Sequence, residues 1–198
     1  MDLMPSLALS LGAGWASGLN PYATVLVLGL AGLSGAMDLP PDLEVLQSHW
    51  VLIVAGIMYA INFFADKIPA VDSVNDFIHT FLRASAGAVL AAAAAGHLDP
   101  TVTVVAALVG GTLAAGAHTT KSGLRLMANA SPEPFSNIAL SFADDFLVVG
   151  ILWVAIKYVI VFFVLMALGL LVMGWLLPKM LRRLAGLVRR MTGSKARA

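Results

Sequence analysis

Five apolar stretches, residues 4–35, 50–64, 77–96, 101–128 and about 137–177, make up most of this 198-residue chain. A helix needs about 20 such residues to cross the hydrocarbon core of a bilayer, so the stretches read as membrane spans. Composition agrees: 12% of residues are charged, against about 25% in a soluble domain, and the mean hydropathy is +0.90. The expected fold is all-α, a polytopic helical membrane protein. Residues 1–178 form one transmembrane domain and residues 179–198 a basic amphipathic tail. The start, Met1-Asp2-Leu3-Met4-Pro5, lacks the basic opening of a cleavable signal peptide, so the first apolar segment is expected to be retained. Cysteine is absent, which excludes disulfides and thiolate metal sites.

Charge is distributed unevenly. Lys179, Arg182, Arg183, Arg189, Arg190, Lys195 and Arg197 are seven of the twelve basic residues. The segment 35–48 carries Asp38, Asp42 and Glu44 with no Lys or Arg. By the positive-inside rule the C-terminal tail is cytoplasmic and that segment external, in a plasma (inner) membrane. This accounts for the basic tail without nucleic acid. On a helix the tail sets Met180, Leu181, Leu184, Leu187 and Val188 opposite its arginines, as an interfacial helix attracted to anionic lipid does.

Two of the stretches are interrupted. Gly18-Leu19-Asn20-Pro21 divides the first and Gly116-Ala117-His118-Thr119-Thr120-Lys121 the fourth. Both read as broken or re-entrant helices, because backbone groups freed by Pro or Gly are tolerated at membrane depth only inside protein or a wet cavity. The segment 12–24 aligns without gaps on 110–122, matching Asn20 with His118 and Thr24 with Ser122, and Phe64-Ala65-Asp66 recurs as Phe142-Ala143-Asp144. This predicts two pseudo-symmetric, inverted repeats, about 4–98 and 101–178, with six spans and both termini inside. Fewer crossings result if residues 145–177 form a single long helix. Paired broken helices are a pointer to a transport site.

Polar residues gather around those breaks. Asp72, Asp76, His79 and Arg83 fall on one helical stripe, and an arginine so far into an apolar run needs a partner. Asp66, Lys67 and Asp72 read equally as a loop with helix-capping carboxylates. His118, Lys121, Ser122 and Arg125 share a second stripe; a helix starting after Gly116 would turn its N–H groups and these cations toward an anion. Asp144 and Asp145 lie deep in the fifth stretch, with Lys67, Arg83, Lys121 and Arg125 as candidate partners. Asn20 completes the set at the first break. Ala84, Gly87, Ala91, Ala92 and Ala95 suit close helix packing.

Asp72, Asp76, His79, His118 and the paired aspartates are ligand types for a divalent metal, but the interleaved Lys and Arg would repel it, so neither metal nor cofactor is expected. No Gly-x-Ser-x-Gly elbow and no phosphate-binding glycine loop is present, and no catalytic residue is assigned.

The segments Gly18-Leu19-Asn20-Pro21-Tyr22, Asp66-Lys67-Ile68-Pro69-Ala70-Val71-Asp72 with His79-Thr80, and His118-Thr119-Thr120-Lys121-Ser122 with Asn137 and Asp144-Asp145 resemble the domain-of-unknown-function family 4126, over about residues 7–177. The resemblance implies a multi-pass bacterial membrane protein and carries no activity. The residues themselves lead to a small secondary transporter or flippase for an anionic solute or a phosphate-bearing lipid, coupled to protons or ions through buried Asp and His. Its partners would be membrane lipids and the transported anion. An ion channel assembled as a homodimer is the alternative. A membrane enzyme acting on lipid headgroups, with His79 or His118 as base, is a weaker one.

Overall fold

A computed structural model describes the backbone of residues 2–68, 71–129 and 135–195; side chains are described except those of residues 71–74, 77, 129, 135–137 and 183–195. The described chain is helical: α1 (Leu3–Leu19), α2 (Pro21–Leu33), a 3-10 segment (Pro41–Gln47), α3 (His49–Ala65), α4 (Val71–Ala95), α5 (Pro100–Asn129), α6 (Phe135–Lys157) and α7 (Val159–Lys195).

The break at Asn20 is present and has a clear local cause. Asn20 is extended (φ −156°), its N–H closes α1 on the Ala16 carbonyl, and its side chain caps α2 by accepting from the Ala23 N–H at 3.1 Å. Pro21 supplies the first position of α2, where no N–H is needed. One residue therefore ends one helix and begins the next.

Side-chain contacts give the direction of each helix. Ser6 on α1 meets His97 after α4, Ser10 donates to the Ala91 carbonyl, and Lys121 on α5 donates to the Leu19 carbonyl. Thus α1 runs parallel to α5 and antiparallel to α4. At the tip the Tyr22 hydroxyl pairs with His79, and after α2 the Ala36 carbonyl accepts from Lys157, the last residue of α6. α2 therefore returns to the end of the bundle from which α1 started, and α1 with α2 is a helical hairpin. α3, α4, α5, α6 and α7 then alternate direction.

Helices α4 to α7 each contain a stretch long and apolar enough to cross a membrane, and α3 with the 3-10 segment before it, bent by 68°, makes a fifth. A multi-pass membrane protein follows. Five alternating passes place the start of α1 and the end of α7 at opposite ends, where six spans would put the termini together.

The second expected break is absent. α5 runs unbroken through Gly116 and His118. A glycine inside a helix costs about 1 kcal/mol relative to Ala but leaves the hydrogen-bond ladder intact, whereas Pro21 removes a donor. Gly116 instead makes room for Met173 of α7, 2.6 Å from where a Cβ would stand. The matched break behind the inverted-repeat expectation is therefore missing. The fifth stretch is not a single helix either: it turns at Tyr158, and α7 climbs back past α1 and α5, with Phe162 beside Gly12 and Met173 beside Gly116.

α1 is the central element, with eleven of its seventeen residues buried. Its contacts with α4 and α5 are made through small residues. A Cβ on Gly14 would stand 2.7 Å from the Gly110 Cα, and one on Gly87 would meet Ala114 and the Gly14 carbonyl. Packing of this kind replaces the hydrophobic drive that lipid does not supply.

Two outcomes follow. Gly14→Ala should lower the melting temperature in detergent, at about 1–3 kcal/mol for overpacking, while Gly56→Ala, with nothing within 4 Å, should be neutral or stabilising. Single cysteines are readable because the chain has none of its own. Asp2→Cys and Asp38→Cys should react with an impermeant maleimide on one side of the membrane and Arg182→Cys on the other; labelling of Asp2→Cys and Arg182→Cys on the same side would contradict the five-pass arrangement.

Candidate functional site at the hairpin tip

The charged residues converge around the corner at Asn20. Asp66 caps the end of α3 and is 4% exposed. Asn62, one turn earlier, donates to it at 3.2 Å, and Asn75 donates to both Asn62 and Asp66. Lys121 Nζ reaches Asp66 at 3.1 Å, Asp144 at 3.3 Å and the Leu19 carbonyl at 3.0 Å. Arg125 Nη2 lies 3.1 Å from Asp66 and 3.0 Å from Asp144. Two cations from α5 thus sit between carboxylates of α3 and α6. The lysine also takes a carbonyl at the negative end of the α1 dipole.

Burial by itself would raise the Asp66 carboxyl; the attraction of Lys121 and Arg125 outweighs it and holds that group below the usual carboxylate value. The anion-site expectation for Lys121 and Arg125 changes accordingly. No helix begins after Gly116, and both cations are already occupied by carboxylates of this chain.

A second group lies between α4 and α5. Arg83 is fully buried and meets Asp76 at 2.9 Å through Nη1. The same nitrogen is 2.9 Å from His118 Nδ1, and Ser122 donates to Asp76 at 3.0 Å. Guanidinium nitrogens only donate, so His118 Nδ1 is the acceptor and its Nε2–H donates to Thr80 at 3.0 Å. His79 has the opposite tautomer. Its Nδ1 faces the Asn75 carbonyl at 2.8 Å and must carry the proton, which leaves Nε2 to accept from Tyr22.

The remaining predicted residues lie at the margin. Asn20 Nδ2 reaches Asp145 at 3.5 Å. Lys67 stands over the Phe63 ring and donates to Ser141 at 3.3 Å, so it is held by rings and a hydroxyl. The side chain of Asp72 lies outside the described residues. Among the described residues no three His, Asp or Glu side chains are grouped to hold a metal.

Sequence reasoning missed Asn62, Asn75, Thr80, Tyr22 and Ser141. A signal existed for Asn62, since an amide near the end of the apolar run of α3 needs a partner, and Asp66 stands four residues on.

Beside the cluster, α6 and α7 diverge from the Tyr158 corner and leave a cleft of about 830 Å³ against α1 and α5. Its walls are apolar, with Trp15, Phe146, Phe162 and Met173 among them, and Lys121 with Asp144 lie on its lining.

A family model described as Domain of unknown function (DUF4126) matches residues 7–179, and the chain belongs to that family. No curated protein and no solved structure matches it.

A carboxyl lowered by folding contributes stability above its unfolded value, and the contribution is lost as the pH falls through the lower folded value. The melting temperature in detergent should therefore drop as the pH is taken from neutral to below about 4, the ordinary carboxylate value. Asp66→Asn should cost about 3 kcal/mol at neutral pH and flatten that acid dependence; an unchanged profile would remove Asp66 from the network.

Proposed function

We propose that this chain is a small secondary carrier, of the flippase type, for an amphiphile with an anionic, phosphate-bearing head. The observation that carries the reading is the position of the Lys121–Asp144 ion pair on the lining of an otherwise apolar cleft. The cleft lies between two membrane helices, so an acyl chain entering from the bilayer meets apolar walls and its head meets Lys121, with Arg125 behind it on Asp144. The substrate's oxyanion takes the place of Asp144 on Lys121 and Arg125. Asp144 also ties α6 to α5, so the exchange releases α6, and substrate binding and helix motion become one event.

The proposed setting is the plasma (inner) membrane. With the basic tail inside and the acidic segment 35–48 outside, the start of α1 is external and the hairpin dips in from the external face. α3 to α7 make the five crossings.

Proteoliposomes containing a headgroup- or chain-labelled fluorescent phospholipid test the proposal through quenching of the outer leaflet. The wild type should equilibrate the label between leaflets, and Asp144→Asn should slow that by about tenfold while keeping its fold, since one missing charge-assisted contact is worth about 1.5–3 kcal/mol. Conductance in a planar bilayer without lipid movement would replace the carrier with a channel.

A further inference from the structure

Arg83 has a part that the network does not use. Its Nη1 serves both Asp76 and His118, yet Nε and Nη2 are buried with no hydrogen-bond partner among the described residues. Those two N–H groups lie on one edge of the planar guanidinium and point the same way, the fork that binds two oxygens of a carboxylate or phosphate in parallel. A side chain with no exposed surface that leaves such donors empty forfeits their hydration, a cost of about 1–3 kcal/mol for each buried unsatisfied group. Buried polar atoms are almost always partnered, so an empty fork beside the tip of a helical hairpin points to a ligand.

We infer that the Nε–Nη2 edge of Arg83 is an oxyanion subsite, taking a carboxylate or phosphate group between α4, α5 and the hairpin tip. The inference rests on the carrier reading and deepens it by adding a second recognition point, beside Asp76 and His118. Its chemistry is set by the fork: two oxygens in one plane, each accepting one N–H.

Asp76 and His118 touch Arg83 directly, both through Nη1, so the Nε–Nη2 edge is the part of the guanidinium left to a ligand.

The test is binding, so that it stands apart from transport. Purified full-length protein in detergent is titrated calorimetrically with inorganic phosphate, with acetate and with a short-chain phosphatidic acid. The wild type should bind at least one of them saturably. Arg83→Lys keeps the charge and loses the fork; it should weaken binding at least tenfold with the melting temperature held. A wild type that binds the anion but moves no lipid would leave the subsite standing without the carrier, which separates the two proposals. Binding of phosphatidic acid alone assigns the subsite to a lipid head, and binding of phosphate or acetate assigns it to a free anion. Should Arg83→Lys fail to fold, the Nε–H resonance of Arg83 in the wild type decides: it should move on adding the bound oxyanion. An unmoved resonance, no saturable binding, or undiminished affinity in the folded Arg83→Lys would overturn the inference.

Discussion

Two cations shared between two carboxylates, Lys121 and Arg125 with Asp66 and Asp144, join α3, α5 and α6 at one point, and Lys121 adds the end of α1. Removing such ions from water costs several kcal/mol apiece, and no single contact recovers that. The recovery is collective: each carboxylate faces both cations, the Leu19 carbonyl adds its helix dipole, and Asn62 and Asn75 fill the remaining acceptor positions of Asp66. Taking away one member strands the others. Well-packed apolar side chains would hold the same helices together at least as firmly, so stability alone gives no reason for ions here. What ions allow, and hydrocarbon does not, is exchange of partners at fixed geometry.

The helix ends show which parts of this architecture could be read from residues. Asn20-Pro21 was legible because each residue acts locally: a side chain that caps and a ring that removes a donor. Gly116 carried no such instruction. A glycine signals either a break or a close approach, and which one depends on what packs against it. Met173, fifty-seven residues further on, decided for close approach. The matched break expected of a repeat is missing for the same reason, since small residues recur wherever helices touch and align easily by chance. The charged residues of the site were legible because lipid makes each one costly. Their pairing was not, because it depends on the direction in which α2 returns.

The same limit explains the histidines. Spacing put His79 and Arg83 on one stripe, yet His79 turns to Tyr22 on the hairpin, while Arg83 turns to Asp76 and to His118 on α5. Their tautomers follow from their neighbours. A carbonyl opposite His79 Nδ1 requires a proton there, and a guanidinium opposite His118 Nδ1 forbids one. Protonating His118 at that nitrogen would set two donors against each other at 2.9 Å. Arg83 would have to leave, and its free edge would move with it.

Two corners of a single residue control how such changes reach the helices. At Asn20 the corner is pinned: Pro21 fixes the backbone, Asn20 caps α2, and Lys121 holds the Leu19 carbonyl from the side. At Tyr158 the corner is exposed and keeps its helical hydrogen bonds on both sides, from its own N–H to Val154 and from Phe162 back to its carbonyl, each at 2.8 Å. The corner residue is thus paired into the helix on each side of it. Phe162, Met166 and Met173 face α6 across the cleft, and methionine adapts readily to a changed surface. The ion pair at Asp144 restrains the other half of α6. In the proposed carrier, a partner exchange at that carboxylate acts on α6 at the end away from Tyr158, while Asn20 and Pro21 hold the hairpin corner.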